Sequence, residues 1–217
     1  SHFQPVAAEE LERLERMVGT RRHQGVVARV DARTRELKLG EVSHRVGLGG
    51  IHGARRNYKS KSGILMDVVG YYSLIMMLYN LLSRNIKNPE SYRDLYETRR
   101  HYKETGNPLQ SALKGGVLAV FGATQNKWQL LYDPSVGDLI MVTGQVFLID
   151  LNERIQEHVK LVQSNTDGLF VEPHNYEAMM KAAKEWEERT GFVLEYERYE
   201  NRKCKKSYND WVFYDWL

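Results

Sequence analysis

Cysteine is almost missing. Cys204 is the single cysteine in 217 residues, so no intrachain disulfide can form and a cysteine-built zinc site is excluded. Such a chain suits a reducing compartment, and a cytoplasmic location is the expectation. An excess of one charge sign is missing too. The 31 basic and 28 acidic side chains leave a formal charge of +3, too small to argue nucleic-acid binding from bulk charge. Long apolar runs are also missing. The longest, from Tyr71 to Leu82, is interrupted by Ser73 and Asn80, and a membrane span needs roughly 20 residues. It reads as a buried helix, and no membrane partner is expected. The opening SHFQPVAAEELERLER is charged and helical in character, unlike a secretory signal. No internal repeat or low-complexity tract appears.

What is present is ordinary globular composition, 42% hydrophobic and 27% charged, in a chain long enough to bury a core. Residues 8–17 read as a short helix. GVVARV, ELKLG and SHRVGL, within 25–46, alternate like strands. GLGGIHG (47–53) reads as a glycine-rich connection, followed by the basic stretch ARRNYKSKSG (54–63). ILMDVV (64–69) reads as a buried strand containing one aspartate. YYSLIMMLYNLLSRNI then reads as a helix, PESYRDLYETRRHYKETG as a second and PLQSALKGGVLAVFGATQNK as a third, the paired glycines 115–116 weakening the last. An amphipathic helix is expected over 137–157. VKLVQSNTDGLFVE has the form of a hairpin with a tight Asn-Thr-Asp-Gly turn. A helix over 174–190 and two closing strands, FVLEYERYE and KSYNDWVFYDW, complete the chain. Strands, helices, hairpin, helix and strands in that order predict an α+β fold, an antiparallel sheet with helices on one face and a helical excursion.

Two aspartates stand out. Asp67 lies inside the apolar strand ILMDVV, where an ionised carboxylate is costly unless it is paired or metal-bound. Asp167 lies in the turn of an apolar hairpin. Adjacent carboxylates repel, and a divalent cation relieves the repulsion. Magnesium takes one or two carboxylates plus substrate phosphates and water. The plainer reading is that a hairpin Asp serves turn chemistry and a strand Asp marks a strand end. By pattern alone that reading is the more common one.

The order of motifs resembles the family B DNA polymerases, phage-encoded members in particular, over roughly residues 40–217. DVVGYYSLIMM, from Asp67, is similar to the first polymerase motif; LKGGVLAVFGA, around Lys114, to the second; VQSNTDGLFVE to the third. KCKKSY (203–208) is similar to the primer-side basic element, and GLGGIHG to a glycine-rich segment near the template strand. The resemblance implies a palm-like sheet holding two Mg2+ ions, with Mn2+ as a substitute, at Asp67, Val68 and Asp167. It implies that Tyr71, Tyr72, Arg99, Lys103, Lys114 and Phe121 contact the nucleotide, with Tyr72 under the incoming sugar, where its ring would exclude a ribose hydroxyl. It implies that Gly49, Gly50, Lys205, Lys206 and Tyr208 contact DNA. Lys114, Leu118 and Phe121 fall at i, i+4 and i+7, on one helix face. Tyr72 reads equally as core packing, and Arg99 with Lys103 equally as a solvated helix pair.

On this basis the expected divisions are 1–46, leading into the palm; 47–82, with the first aspartate; 83–127, a helical fingers subdomain; and 128–217, with the second aspartate and the basic element. The implied partners are primer-template DNA and deoxynucleoside triphosphates. The stretch before Asp67 is too short for a proofreading domain, and little follows Tyr208 to build a thumb, so a partner chain supplying these is a further expectation. Departures from the family pattern are several: Gly70 for Ser, Ser73-Leu74 for Pro-Ser, Leu118 and Ala119 for Asn-Ser, Phe121 for Tyr, and Asn165 and Gly168 around the retained Asp167. They leave open a catalytically silent nucleic-acid-binding module. A nucleotide cyclase built on a similar sheet is a third reading, disfavoured by the template-side and primer-side elements.

Overall fold

The structure, a computed structural model, describes residues 35–47, 49–204 and 211–213. The expected helix at 8–17 and the strand GVVARV lie outside these residues, as do Lys205, Lys206 and Tyr208. The described elements run β1 (Arg35–Leu39), β2 (Val42–Val46), β3 (His52–Ala54), β4 (Tyr58–Val68), α1 (Tyr71–Leu78), α2 (Pro89–Glu104), α3 (Leu109–Gln125), α4 (Pro134–Ile155), β5 (Val159–Asn165), β6 (Gly168–Pro173), α5 (Tyr176–Thr190), β7 (Leu194–Cys204) and β8 (Trp211–Phe213). The strands form one sheet in the order β1-β2-β3-β5-β6-β4-β7-β8, and every pairing is antiparallel. This is the α+β class that the sequence predicts.

Strand β4 carries the centre of the sheet. It begins at Tyr58, well before the ILMDVV segment. The basic stretch joins the strand because its side chains already alternate: Lys59 and Lys61 face solvent, with Ser60 buried between them. The alternation continues with Ile64, Met66 and Val68 buried. Pairing with β7 runs the full length, from Tyr58↔Cys204 to Val68↔Leu194. The glycine-rich connection likewise contains a strand, β3, which pairs with β2 through His44↔Gly53 and with β5 through Gly53↔Ser164.

The chain divides into two compact units. One holds the described residues up to Val69 and from Met141 onward; the other holds Gly70–Ile140. In the first unit, Phe192 lies edge-on to Phe147 at 5.0 Å and stacks on Trp186 at 5.4 Å. Helix α4 is long and apolar enough to cross a bilayer by composition, yet 78% of its most apolar window is buried inside the protein, as befits a core helix. Its Asp150 is fully buried and is held by Arg154 and Arg189, which is how a buried carboxylate is tolerated. Helix α5 opens on Asn175, whose side chain accepts from the Ala178 N–H at 3.1 Å. It closes on Gly191 at φ 77°.

In the second unit, α1 is shorter than its apolar pattern suggests. It stops at Leu78, and Asn80 follows at φ 52°, a left-handed conformation that ends a helix. Arg93 of α2 bonds the Asn80 Oδ1 at 2.7 Å. Buried Tyr92 of α2 places its hydroxyl 3.7 Å from the Met76 sulfur and 3.4 Å from the Val117 carbonyl, joining the three helices. Helix α3 runs unbroken through Gly115 and Gly116. A Cβ at Gly116 would lie 3.6 Å from Leu95 Cδ2, so this glycine sits at the α2–α3 crossing. The loop after α1 is fixed by Arg84, whose guanidinium donates twice to Asp133 at 2.9 and 2.8 Å and holds that carboxyl below its usual pKa.

Candidate active site

The register of β4 sets the site. Asp67 pairs with Gly168 on β6 and with Glu195 on β7. Paired residues share a face of the sheet, so Gly168, Asp67 and Glu195 form a row across three strands. Asp67 is half-buried in that row. Gly168 is there for the carboxylate. A Cβ at residue 168 would stand 1.9 Å from Asp67 Oδ1 and 2.8 Å from the Met66 carbonyl oxygen, so the Asp67 carboxylate occupies the space a side chain would take.

Asp167 enters from the hairpin. β5 and β6 close on Asn165↔Gly168, leaving Thr166 and Asp167 as the loop. The Val68 N–H donates to the Asp167 carbonyl at 2.8 Å, which ties the loop to β4 immediately beside Asp67. With strands about 4.8 Å apart and successive residues about 3.4 Å apart, the main chains of the two aspartates lie about 6 Å apart. The Asp167 side chain is exposed by accessible area, but the protein crowding its carboxyl pushes its pKa up, with the charge of His52 acting in the opposite direction.

The hairpin loop has a second neighbour. His52 of β3 places Nε2 3.3 Å from Thr166 Oγ1. Burial lowers the pKa of this imidazole, against the opposing effects of the Gly49 main chain, the Asn165 side chain and the Asp167 charge. Gly50 closes the group at φ 108°, where a Cβ would lie 3.1 Å from Thr166 Oγ1 and 3.3 Å from His52 Nε2. The segment is anchored one step earlier. Gly47 donates to Gln145 Oε1 at 2.9 Å and accepts from Gln145 Nε2 at 2.6 Å.

The expected nucleotide-contacting residues all lie in the second unit. Gly70 takes φ 59° at the start of α1 with nothing within 4 Å of its Cβ position, a left-handed turn that suits glycine. Tyr71 is buried and Tyr72 half-buried. The Tyr72 ring meets Phe121 of α3 at 4.4 Å between centroids, tilted 35°. Lys103 and Lys114 are exposed and Arg99 is half-buried. Arg93 and Arg100 of the same helix are tied to Glu90, Glu97 and Glu104. Leu118 is 48% exposed, an apolar side chain open to solvent where the family pattern has a polar one.

Thus the structure brings Asp67, Val68 and Asp167 together within one unit, with Gly49 and Gly50 near the same hairpin. It also joins Tyr72 to Phe121. The sequence reading missed Glu195, Gly168 and His52. Glu195 is one of several glutamates in FVLEYERYE, and only the β4–β7 register singles it out. Gly168 was read as a departure from a motif, and its steric role requires the cross-strand partner to be known.

No family model matches the chain, and comparison with curated proteins finds no match. Among solved structures, the chain is similar to the family B DNA polymerase of the hyperthermophilic archaeon Pyrobaculum calidifontis. The TM-score is 0.60 at 19% identity, covering 94% of this chain and 31% of that one. The chain therefore spans about a third of the length of the structure it matches, and what the two share is the fold.

Proposed function

We propose that this chain is the nucleotidyl-transfer core of a template-directed DNA polymerase of family B, of the phage type that its motifs resemble. The observation that carries the reading is the meeting of Asp67 and Asp167 across β4 and the β5–β6 loop, with Gly168 leaving room for the Asp67 carboxylate. Both aspartates lie in stretches that resemble motifs of that family, in its order.

The donor set fits a hard divalent cation. It consists of two carboxylates and the neighbouring Val68, all oxygen donors, and no cluster of three His, Cys, Asp or Glu is present among the described residues. Magnesium takes such a set, completing its shell with phosphates and water. Asp67, Val68 and Asp167 would hold the ions, and the ions would supply charge stabilisation and lower the pKa of the attacking hydroxyl. The primer 3′-hydroxyl attacks the α-phosphorus of the deoxynucleotide, a new phosphodiester forms, and pyrophosphate leaves. Arg99, Lys103 and Lys114 neutralise the triphosphate by charge-assisted contacts. Tyr72, supported by Phe121, lies against the sugar. Gly49 and Gly50 approach the template strand, and Lys205, Lys206 and Tyr208 hold the primer backbone. A separate chain contributing a thumb or exonuclease is part of this reading.

Primer extension with the full chain tests it. In Mg2+ or Mn2+, the native protein extends a primer, while Asp67→Asn and Asp167→Asn lose at least about a hundredfold in rate, since each removes a carboxylate that would hold the cations. Primer-template affinity stays within about twofold. An Asp167→Asn protein that still extends at the native rate ends the metal assignment. The exposed Leu118, with Ala119 beside it, supports the second reading of a silent nucleic-acid-binding module. In that case the native chain binds primer-template and extends nothing in either metal.

A further inference from the structure

We infer that His52 is a positioning residue for the proposed reaction: its imidazole braces the Thr166–Asp167 loop and so fixes where the Asp167 carboxylate stands. This inference rests on the reading of Asp67 and Asp167 as metal ligands.

The brace follows from the sheet. β3 is three residues long, and its pairing with β2 on one side and β5 on the other leaves it little freedom. Because Gly53 pairs with Ser164, His52 is carried to the β5 end that opens into the hairpin loop. There its Nε2 stands 3.3 Å from Thr166 Oγ1. The loop main chain is tied to β4 through Val68 N–H to Asp167. That bond holds the carbonyl of residue 167 and leaves the side-chain end of the loop to be held otherwise, and the Thr166–His52 contact does so.

The packing around the contact is close. Gly50, at φ 108°, has no room for a Cβ without pressing on both Thr166 and His52. A pure packing role would be served by any apolar ring. Imidazole adds a polar nitrogen, Nε2, directed at a hydroxyl, as donor or acceptor according to its tautomer. His52 also sits between Gly49–Gly50, proposed to meet the template, and the loop bearing Asp167. A partner that orients a ligand from behind in this way is typically worth 10–100-fold in metal affinity or activity.

The test uses the full chain with a dideoxy-terminated primer-template and the matching deoxynucleotide. Mn2+ binding is followed by electron paramagnetic resonance, and the Mg2+ dependence of extension is measured on an ordinary primer. The variants are His52→Ala, His52→Asn, His52→Gln and Thr166→Val, with Asp167→Asn as reference. His52→Ala and His52→Asn should bind Mn2+ about tenfold more weakly and need correspondingly more Mg2+. His52→Gln should recover most of the loss, because its amide reaches the position of Nε2, whereas the amide of Asn reaches only that of Nδ1. Thr166→Val should match His52→Ala, and the double variant should add nothing further. The rate constant kcat should fall with KM for the deoxynucleotide unchanged. Native Mn2+ affinity and Mg2+ requirement in His52→Ala overturn the inference. So does a His52→Gln protein that falls as far as His52→Ala, since the ring would then serve packing alone. If native protein binds Mn2+ no better than Asp167→Asn and extends nothing, the metal reading itself is wrong and the inference goes with it.

Discussion

At residue scale, the informative positions are glycines that a neighbour requires. Gly168 is needed by Asp67, and Gly53 is needed by His44, whose ring would lie 2.4 Å from a Cβ at residue 53. Neither requirement is legible in the sequence, because each partner lies on another strand and only the register pairs them. Asp67 and Asp167 could be singled out in the sequence, but pattern alone favoured a strand end and turn chemistry, and only the order of the motifs joined the two. His44 leads to a prediction of its own. It is fully buried, its Nδ1 lies 3.0 Å from the Val42 carbonyl, and burial lowers its pKa to about 4. The folded state thus resists a proton that the unfolded chain accepts near pH 6.5. Stability attributable to this residue is fully present above about pH 6.5 and is lost as pH falls toward about 4, amounting to about 3 kcal/mol. Urea denaturation at pH 7.5, 6.0 and 4.5 should show His44→Gln losing less stability on acidification than the native chain. Parallel pH profiles would remove His44 as the cause.

At element scale, helices with chemical punctuation were the easiest to read. α2 begins at Pro89 and α5 ends at Gly191, close to their expected limits. α1 was overextended because its apolar run continues past Leu78 while the backbone turns left-handed at Asn80. The strand containing Asp67 begins before ILMDVV, at Tyr58 in the basic stretch, where the alternation of the lysines with Ser60 already has the strand period. α3 tolerates Gly115 and Gly116 because tertiary packing outweighs a propensity cost of about 1 kcal/mol each. On the proposed reading, the contact between α1 and α3 bears on substrate choice. Tyr72 is proposed to lie against the incoming sugar, and Phe121 packs on its ring. An aromatic pair of this kind is worth about 0.5–1.5 kcal/mol, so Phe121→Ala should loosen the Tyr72 ring and raise ribonucleotide incorporation relative to deoxyribonucleotide by roughly two- to tenfold. Competition assays with paired nucleotides measure the ratio directly. An unchanged ratio would separate Tyr72 from sugar selection or show that Phe121 does not hold it.

At the scale of the whole molecule, Asp67 and Asp167 lie in one compact unit and Arg99, Lys103 and Lys114 in the other. Composition could not announce this, because 31 basic and 28 acidic residues nearly cancel. The order of the motifs follows the folding of the sheet: Asp67 precedes the excursion, and Asp167 returns on the hairpin beside it. The same near-cancellation of charge predicts how the chain holds DNA. On the proposed reading Arg99, Lys103 and Lys114 are committed to the triphosphate, leaving Lys205 and Lys206 as the named cations for the duplex backbone. Two neutralised phosphates give a slope of log affinity against log salt of about −1.8, and hence about a twelvefold loss in binding between about 50 and 200 mM salt. Fluorescence anisotropy of a labelled primer-template across that range measures the slope. Lys205→Ala with Lys206→Ala should flatten it toward zero and weaken binding at low salt, while Asp167→Asn should leave it unchanged. A native slope steeper than about −5 would mean that a larger basic surface grips the duplex, and the primer-side assignment of these two lysines would then have to give way to it.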